Sequence, residues 1–303
     1  MRRHTGPAIT IAACLWCVVW ASSALGARTP GGESPRASSA PAVKSVVVVL
    51  EDQGVVPPGA TRGFTRVCPK RAPHPVGGTF GPGEGSPRAG QFLLAASFPQ
   101  REKRAWRVVV KNITTLPQPF FAGAVCIGAP GPVVYVQTTG VAAPGMDAGA
   151  DLRCPVSAPR GIGGFFRPQQ QSATGLIVAD GSFRTSAGWD VGVRNVGDIP
   201  RQSVPPAPQG YRVGAVCAGK RLRTAVVSRV RTVPGGRAVD TTLRCPLRTP
   251  QPLTGVFAAA NANAAGQILA TGGFRTGART WNTGVRNVSS APQPGGAGVV
   301  CVR

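Results

Sequence analysis

The stretch CPKRAPHPVGGTF, residues 68–80, decides the fold, because closely related versions of it occur twice more in the chain. It returns as CPVSAPRGIGGFF at 154–166 and as CPLRTPQPLTGVF at 245–257. Each copy opens with Cys-Pro and places a phenylalanine twelve residues after the cysteine. We therefore interpret the chain as one module repeated three times.

Further landmarks follow each Cys-Pro in the same order. The next landmark is another phenylalanine. A tryptophan then stands 35 to 38 residues after the cysteine, and an asparagine follows the tryptophan by six residues. We expect the asparagines, Asn112, Asn195 and Asn287, to bond their own backbone at a strand end rather than a ligand. We expect the repeated aromatic residues to pack in the module cores. They are Phe80, Phe98, Trp106, Phe166, Phe183, Trp189, Phe257, Phe274 and Trp281.

Six of the eight cysteines belong to the repeat, and an even number in an exported chain predicts disulfides. The repeat selects one pairing out of the fifteen possible ones. The predicted pairs are Cys68–Cys126, Cys154–Cys217 and Cys245–Cys301. In the chain-entropy model, a loop of this length gives about 4 kcal/mol per disulfide. We expect no metal and no cofactor, because beyond its N-terminal segment the chain has no C-x-x-C pair and one histidine.

Short apolar runs bounded by Pro-Gly and Gly-Gly turns predict strands, and no stretch shows helical periodicity. The expected fold class is all-β, with three tandem antiparallel sandwich- or barrel-like modules, each holding one internal disulfide. The modules span 44–128, 132–219 and 220–303. Each is long enough for its own core and the connectors are very short. We therefore expect a semi-rigid row of domains rather than one pseudo-threefold domain.

The N-terminal segment predicts export. Residues 1–27 are typical of a signal peptide, with Arg2 and Arg3, an apolar stretch at about 8–20, and small residues before Ala27. An uncleaved membrane anchor and lipidation at Cys14 are the alternatives. Residues 28–43, rich in Pro, Ser, Gly and Ala, predict a flexible linker. The expected location is outside the cell or at the cell envelope.

The order Cys-Pro, Gly-Gly-x-Phe, Trp with Val-x-Asn, and Ala-Val-Cys resembles a module found in exported proteins of actinobacteria. The resemblance covers nearly all of the chain after the N-terminal segment. The third copy departs from it by losing one glycine of the pair, at Thr254-Gly255. The resemblance implies an extracellular β-module with an internal disulfide. That family supplies no settled activity, so it assigns no catalytic residue.

The chain carries a formal net charge of +23, and the charge is spread unevenly. The third repeat holds twelve basic residues and one acidic residue, whereas the second holds seven and five. Such a field attracts polyanions, among them wall polymers, anionic lipid surfaces and nucleic acid. The alternative is genome bias, since the 29 arginines far outnumber the lysines, as GC-rich coding produces.

Two basic clusters are the candidate polyanion-binding residues. One fills the loop before the first tryptophan, and the other opens the third repeat and continues along a strand. Basic residues on an edge strand that prevent aggregation are the alternative interpretation. The candidates are Arg101, Lys103, Arg104, Arg107, Lys220, Arg221, Arg223, Arg229 and Arg231.

The sequence offers little for catalysis. His74 lies between prolines in the first repeat only, the carboxylates are scattered, and no G-x-S-x-G elbow, Gly-rich phosphate loop or H-E-x-x-H motif is present. We therefore expect a non-enzymatic binding protein that contacts an anionic envelope or extracellular polymer. An interaction or inhibitor module anchored by Phe120 and Phe121 is the second hypothesis, although those rings also suit the edge of a core. A secreted enzyme with an unfamiliar site is the third.

Overall fold

A computed structural model describes residues 46–83, 90–170, 176–197, 207–261 and 266–303. The predicted signal peptide and linker lie outside the described residues. The described residues belong to one compact unit and are almost entirely β-strand, as expected. Within these ranges the single helical element is a 3-10 turn, Arg101–Lys103.

Each repeat contributes six strands. The first repeat forms β1 (Val46–Val56), β2 (Thr61–Val67), β3 (His74–Pro82), β4 (Phe92–Gln100), β5 (Ala105–Asn112) and β6 (Gln118–Gly128). The second forms β7 (Val133–Ala142), β8 (Asp147–Arg153), β9 (Arg160–Pro168), β10 (Ile177–Arg184), β11 (Gly188–Asn195) and β12 (Gln209–Ala218). The third forms β13 (Thr224–Val233), β14 (Ala238–Arg244), β15 (Gln251–Ala259), β16 (Ile268–Arg275), β17 (Thr280–Asn287) and β18 (Gln293–Val302).

The strands form three six-stranded antiparallel sheets, and every sheet combines two repeats. Sheet A has the order β1-β6-β3-β16-β17-β14, sheet B the order β7-β12-β9-β4-β5-β2, and sheet C the order β13-β18-β15-β10-β11-β8. The third strand of each repeat thus pairs with the fourth strand of another. The three junctions are equivalent, and each centres on the phenylalanine twelve residues after the Cys-Pro. They pair Phe80 with Gly273, Phe166 with Ser97, and Phe257 with Ser182.

The described part of the chain is therefore one pseudo-threefold body and not a row of three independent domains. A separate repeat would contain two three-stranded sheets, β1-β6-β3 and β2-β5-β4, with β3 and β4 as unpaired edges. Pairing with the neighbouring repeats removes these edges, which would otherwise be prone to aggregation. One hydrophobic core consequently runs through all three repeats.

The disulfides pair as predicted. Each joins the last strand of a repeat to the residue that follows its second strand, and these two strands lie in different sheets. Cys126 near the end of β6 links sheet A to sheet B through Cys68, which follows β2. The other two disulfides join sheets B and C and sheets C and A in the same way. We call the end of the three sheets that the disulfides tie together the cystine end.

The two glycines of each Gly-Gly pair, which is Thr254-Gly255 in the third repeat, make different packing contacts. Its second member, Gly78, Gly164 or Gly255, lies against the indole of its own repeat, where an added Cβ would come within 2.4–2.9 Å of the tryptophan Nε1. Its first member meets its counterparts from the other repeats. A Cβ on Gly77 would lie 3.1 Å from Thr254 Oγ1, and one on Gly163 would lie 2.6 Å from the Val76 carbonyl oxygen. One side chain fits among these three positions, which explains why only the third copy has lost its first glycine.

The three tryptophans are fully buried, and the first phenylalanine of each repeat is buried beside them. The second phenylalanine is not a core residue, contrary to the expectation. Strand alternation turns it to the outer face of its sheet. There Phe98 packs under the Arg167 guanidinium, Phe274 packs edge-on against Phe121 at 5.0 Å, and Phe183 is 38% exposed.

The repeated asparagines hold the opposite end of each repeat together. The Asn112 amide donates to the carbonyls of Val56 and Leu116, and its oxygen accepts from the Thr114 backbone and hydroxyl groups. Asn195 and Asn287 make the corresponding bonds and, like Asn112, are fully buried. The asparagines are therefore structural, because their amides are occupied by backbone groups.

Candidate functional site

The cystine end gathers loops from all three repeats. Because the strands are antiparallel and share this end, every connection from a second to a third strand, from a fourth to a fifth, and from a sixth to the next first strand lies here. These loops are 68–73, 101–104, 129–132, 154–159, 185–187, 219–223, 245–250 and 276–279, and all of them lie in the described part of the chain.

Basic side chains dominate this end, and the loops just defined contain one carboxylate, Glu102. The basic residues in the loops are Lys70, Arg71, Arg101, Lys103, Arg104, Lys220, Arg221, Arg223, Arg248 and Arg279. The adjoining strand ends add Arg153, Arg160, Arg184, Arg244, Arg275 and Arg303. The loop portions of the two sequence clusters, 101–104 and 220–223, thus lie at the same end of the described residues.

Some of these arginines have structural contacts. Arg101 stacks on the ring of Tyr135 and donates to the Tyr135 carbonyl at 2.9 Å, so it fixes the loop of one repeat against the next. Arg275 donates to the carbonyls of Gly277 and Ala278, and Arg279 donates to that of Cys245. These guanidiniums hold their loops in place.

The other basic residues of the loops are exposed. Lys70, Arg71, Lys103, Arg104 and Arg248 project into solvent, as do Lys220, Arg221 and Arg223. Among the described residues the single ion pair joins Arg66, near the end of β2, to Asp52 of β1 and involves none of these loop cations. The exposed cations of the cystine end are therefore available to an anionic ligand.

Like charges are also close together where the second repeat meets the third. Arg184 is half-buried and donates to the Thr224 hydroxyl at 3.0 Å. Burial lowers the pKa of Arg184, and the nearby Arg160 lowers it further. A bound anion would relieve this repulsion.

Three of the sequence candidates lie elsewhere. Arg107 lies on the outer face of β5, with its guanidinium over Gly63 of β2. Arg229 and Arg231 lie on β13, which is an edge strand of sheet C, and run away from the cystine end. Their position on an edge fits the alternative interpretation, protection against edge-to-edge pairing.

The proposed partner anchors are packed inside the protein. Phe120 is 1% exposed and contacts the rings of Phe64 at 4.9 Å and Phe92 at 5.6 Å. Phe121 is half-buried against Phe274 of the third repeat. These rings form the edge of a core and a contact between repeats, so the structure removes them from the candidate partner surface.

The acidic residues do not build a site. Asp147, Asp151, Asp180 and Asp190 share the β8-β11-β10 part of sheet C, and burial raises the pKa of Asp180 to about 8 and that of Asp190 to about 6. Within the described ranges, no group of three or more His, Cys, Asp or Glu residues is placed to hold a metal ion. His74, the first residue of β3, is half-buried, and burial lowers its pKa.

Two cavities in the described part of the chain bear on catalysis. One, of about 50 Å³, lies where the three repeats meet and is lined by glycine, alanine, leucine, phenylalanine, serine, threonine and tryptophan. The other is a surface cleft of about 450 Å³, lined mainly by small and polar residues together with Arg237 and Arg286. Neither lining contains a carboxylate, a histidine or a thiol.

A tight turn follows each Cys-Pro at the cystine end. In each, a backbone N–H bonds back to the carbonyl of the proline, as in Ala72 to Pro69 at 2.9 Å and Ala158 to Pro155 at 2.9 Å. The turn tips are Lys70-Arg71, Val156-Ser157 and Leu247-Arg248. In the sequence, the Cys-Pro dipeptide followed by a proline five residues after the cysteine is the pattern that could have predicted a rigid turn here.

No protein-family model matches the chain, and the search of curated proteins found no match. The resemblance to exported actinobacterial modules therefore stays a prediction. The three disulfides are typical of an oxidising compartment. None of the described residues forms a helix long and apolar enough to cross a membrane.

Proposed function

We propose that this is an exported binding protein whose cystine end contacts polyanions of the cell envelope or its surroundings. The observation that carries the proposal is the convergence of exposed Lys and Arg side chains from several loops on one end, where the loops hold one carboxylate. Multiple weak contacts from one rigid surface add up to useful affinity without a deep pocket. The signal peptide predicted from residues 1–27 supports export.

The distribution of charge favours a binding role over genome bias as the explanation of the basic residues. Arginine-rich coding would place cations wherever a surface position tolerates them. Instead, the cystine-end loops of the first and third repeats are basic, whereas the loops 154–159 and 185–187 of the second carry no charge. The fold therefore does not need these charges.

The test is the salt dependence of binding to a defined polyanion. Fluorescent linear polyphosphate is titrated with the oxidised protein by anisotropy at increasing salt, with dextran as the uncharged control. Arg221→Ser/Arg223→Ser removes two cations from the cystine end. Arg229→Ser/Arg231→Ser removes two from the same repeat but from the edge strand, and is the matched control.

We expect the affinity to fall steeply with salt. Loss of two phosphate contacts reduces the magnitude of the negative slope of log K against log salt by about 0.7–0.9 per contact. The cystine-end variant shows this decrease, and the edge-strand variant does not. Equal effects of the two variants would assign the binding to net charge alone. Binding that is unaffected by salt would overturn the proposal and favour a protein or sugar partner.

A further inference from the structure

Aliphatic side chains project from the basic end of the molecule at symmetry-equivalent positions. Val156 is 86% exposed and Leu247 is 78% exposed, the two highest values among the large apolar residues described. Each is the first tip residue of the turn that follows a Cys-Pro, where the first repeat has Lys70. The pseudo-threefold arrangement places all three turns at the cystine end, so apolar tips and cations face the same way.

These turns are rigid. Each begins at a disulfide, has a proline as its first residue and is closed by a backbone hydrogen bond to that proline. A residue held exposed on such a turn loses little conformational entropy when it enters a contact. Exposed aliphatic tips do not suit a soluble polyphosphate chain, which offers them no apolar surface.

Resting on the proposed polyanion function, we propose that the polyanion is the headgroup layer of an anionic lipid surface. Val156 and Leu247 insert between the headgroups, and the surrounding basic residues, among them Lys70, Arg71, Arg248 and Arg223, contact phosphates. Surface attachment of this kind combines apolar insertion with electrostatic attraction, at about 1 kcal/mol for each Lys or Arg near an anionic leaflet.

The test is co-sedimentation of the full chain with vesicles of phosphatidylcholine alone or mixed with phosphatidylglycerol. Val156→Ser/Leu247→Ser removes the apolar tips without changing the charge. Val141→Ser/Val230→Ser, at exposed valines on the edge strands β7 and β13, is the matched control. Polyphosphate binding is measured for every variant in parallel.

We expect binding to the anionic vesicles only, weakened about tenfold by the tip variant through lost aliphatic burial and unchanged by the control. Polyphosphate binding stays the same in the tip variant. Vesicle binding that does not respond to the tip variant would overturn the insertion. Binding to polyphosphate without binding to vesicles would overturn the lipid assignment and leave the proposed polyanion-binding function intact. Binding to neither polyphosphate nor vesicles would overturn both proposals.

A different observation carries a second inference, at the centre of the fold. Trp106 Nε1 donates to Ser97 Oγ at 2.8 Å, and Trp189 Nε1 donates to Ser182 Oγ at 2.9 Å. The third repeat has Gly273 at the serine position, and Trp281 Nε1 is buried without a hydrogen-bond partner among the described protein groups. A buried unsatisfied donor is costly and calls for an explanation.

The cavity of about 50 Å³ lies at this position. Its lining includes Trp281 and Gly273 together with the hydroxyl groups of Ser97, Ser182 and Thr283. A water molecule needs roughly 10–15 Å³ of such volume and two to four polar partners, and the cavity offers both. We infer that one or more ordered waters bind here, accept the Trp281 N–H and bridge the repeats.

High-resolution crystal structures of the protein and of Gly273→Ser test this inference. An added Cβ at Gly273 meets nothing closer than 3.8 Å, so the new side chain fits. We expect water density about 2.7–3.2 Å from Trp281 Nε1, replaced in the variant by the introduced hydroxyl. Ser97→Gly, the matched control, is expected to gain a water at Trp106. A protein without density beside Trp281, or a variant that keeps it, contradicts the inference.

Discussion

Replacing Asp180 is expected to make the protein more stable, and increasingly so as the pH rises. Asp180 is the bulge residue of β10, where the first and third repeats have Ala95 and Thr271. Its carboxyl group is buried, with Gly192 leaving space for it on β11. Burial, and secondarily the neighbouring Asp147, raise the pKa of Asp180 from 3.8 to about 8, although Arg194 opposes the shift.

The sign and size follow from linkage. Between these two pKa values the unfolded chain loses the Asp180 proton while the folded chain keeps it, so rising pH favours unfolding. Each unit of pKa difference corresponds to about 1.36 kcal/mol. The penalty is below about 1 kcal/mol at pH 4, about 3 kcal/mol at pH 6 and about 5 kcal/mol at pH 8. Asp180→Asn, which resembles the protonated acid, removes it.

Urea unfolding at these three pH values measures the effect. The difference in the free energy of unfolding between Asp180→Asn and the unmodified protein should grow with pH by these amounts. Glu102→Gln, which neutralises an exposed carboxylate of the 101–104 loop, is the control and should show no such growth. A difference for Asp180→Asn that is the same at pH 4 and pH 8 would refute the assignment of a buried, protonated carboxyl group.

Three further substitutions test the packing of the repeats. Gly163→Val places a Cβ against the Val76 carbonyl and should destabilise the protein by about 2 kcal/mol or more, measured by urea unfolding; a neutral result would show that the three repeats do not meet there. Phe166→Ala removes a buried junction side chain and should cost about 3–5 kcal/mol, whereas a cost below about 1 kcal/mol would contradict the shared core. Asn195→Ala leaves buried carbonyls unpaired and should lower the thermal midpoint by an amount corresponding to about 2–3 kcal/mol; an unchanged midpoint would mean that these bonds contribute nothing.

The repeat made much of the fold predictable. Matching cysteines at fixed places selected one pairing, which the structure confirms. Short apolar runs between glycine and proline turns correctly predicted an all-β chain. The asparagine predicted to bond local backbone does so in every repeat. In each case the pattern concerns residues within one repeat, where sequence spacing and local geometry are directly related.

Contacts between repeats were not predicted from the sequence. At each junction the third and fourth strands of different repeats are paired at one residue position, and such a short pairing produces no periodic pattern in the sequence. A signal was nevertheless present in the fourth strand. Phe92 to Ala96 is an uninterrupted apolar run, which is typical of a strand covered on both faces. Such a strand would be an unsuitable edge, and pairing β4 with β9 of the next repeat resolves the difficulty.

Only part of the candidate site could be predicted from the sequence. The basic clusters at 101–104 and 220–223 could be found by composition, but nothing in the spacing shows that they share an end with the turns at 70–71 and 247–248. That proximity arises because three disulfides tie the same ends of three sheets together. The phenylalanines failed as anchors for a related reason, since the partner of Phe121 belongs to a repeat distant in sequence.

The central claim is that three repeats form one body through shared sheets and a continuous core. Differential scanning calorimetry tests it most directly, by comparing the van't Hoff enthalpy of unfolding with the calorimetric enthalpy. One cooperative unit predicts a ratio close to one. Three repeats that unfold independently would give a ratio near one third, and that result would contradict the account.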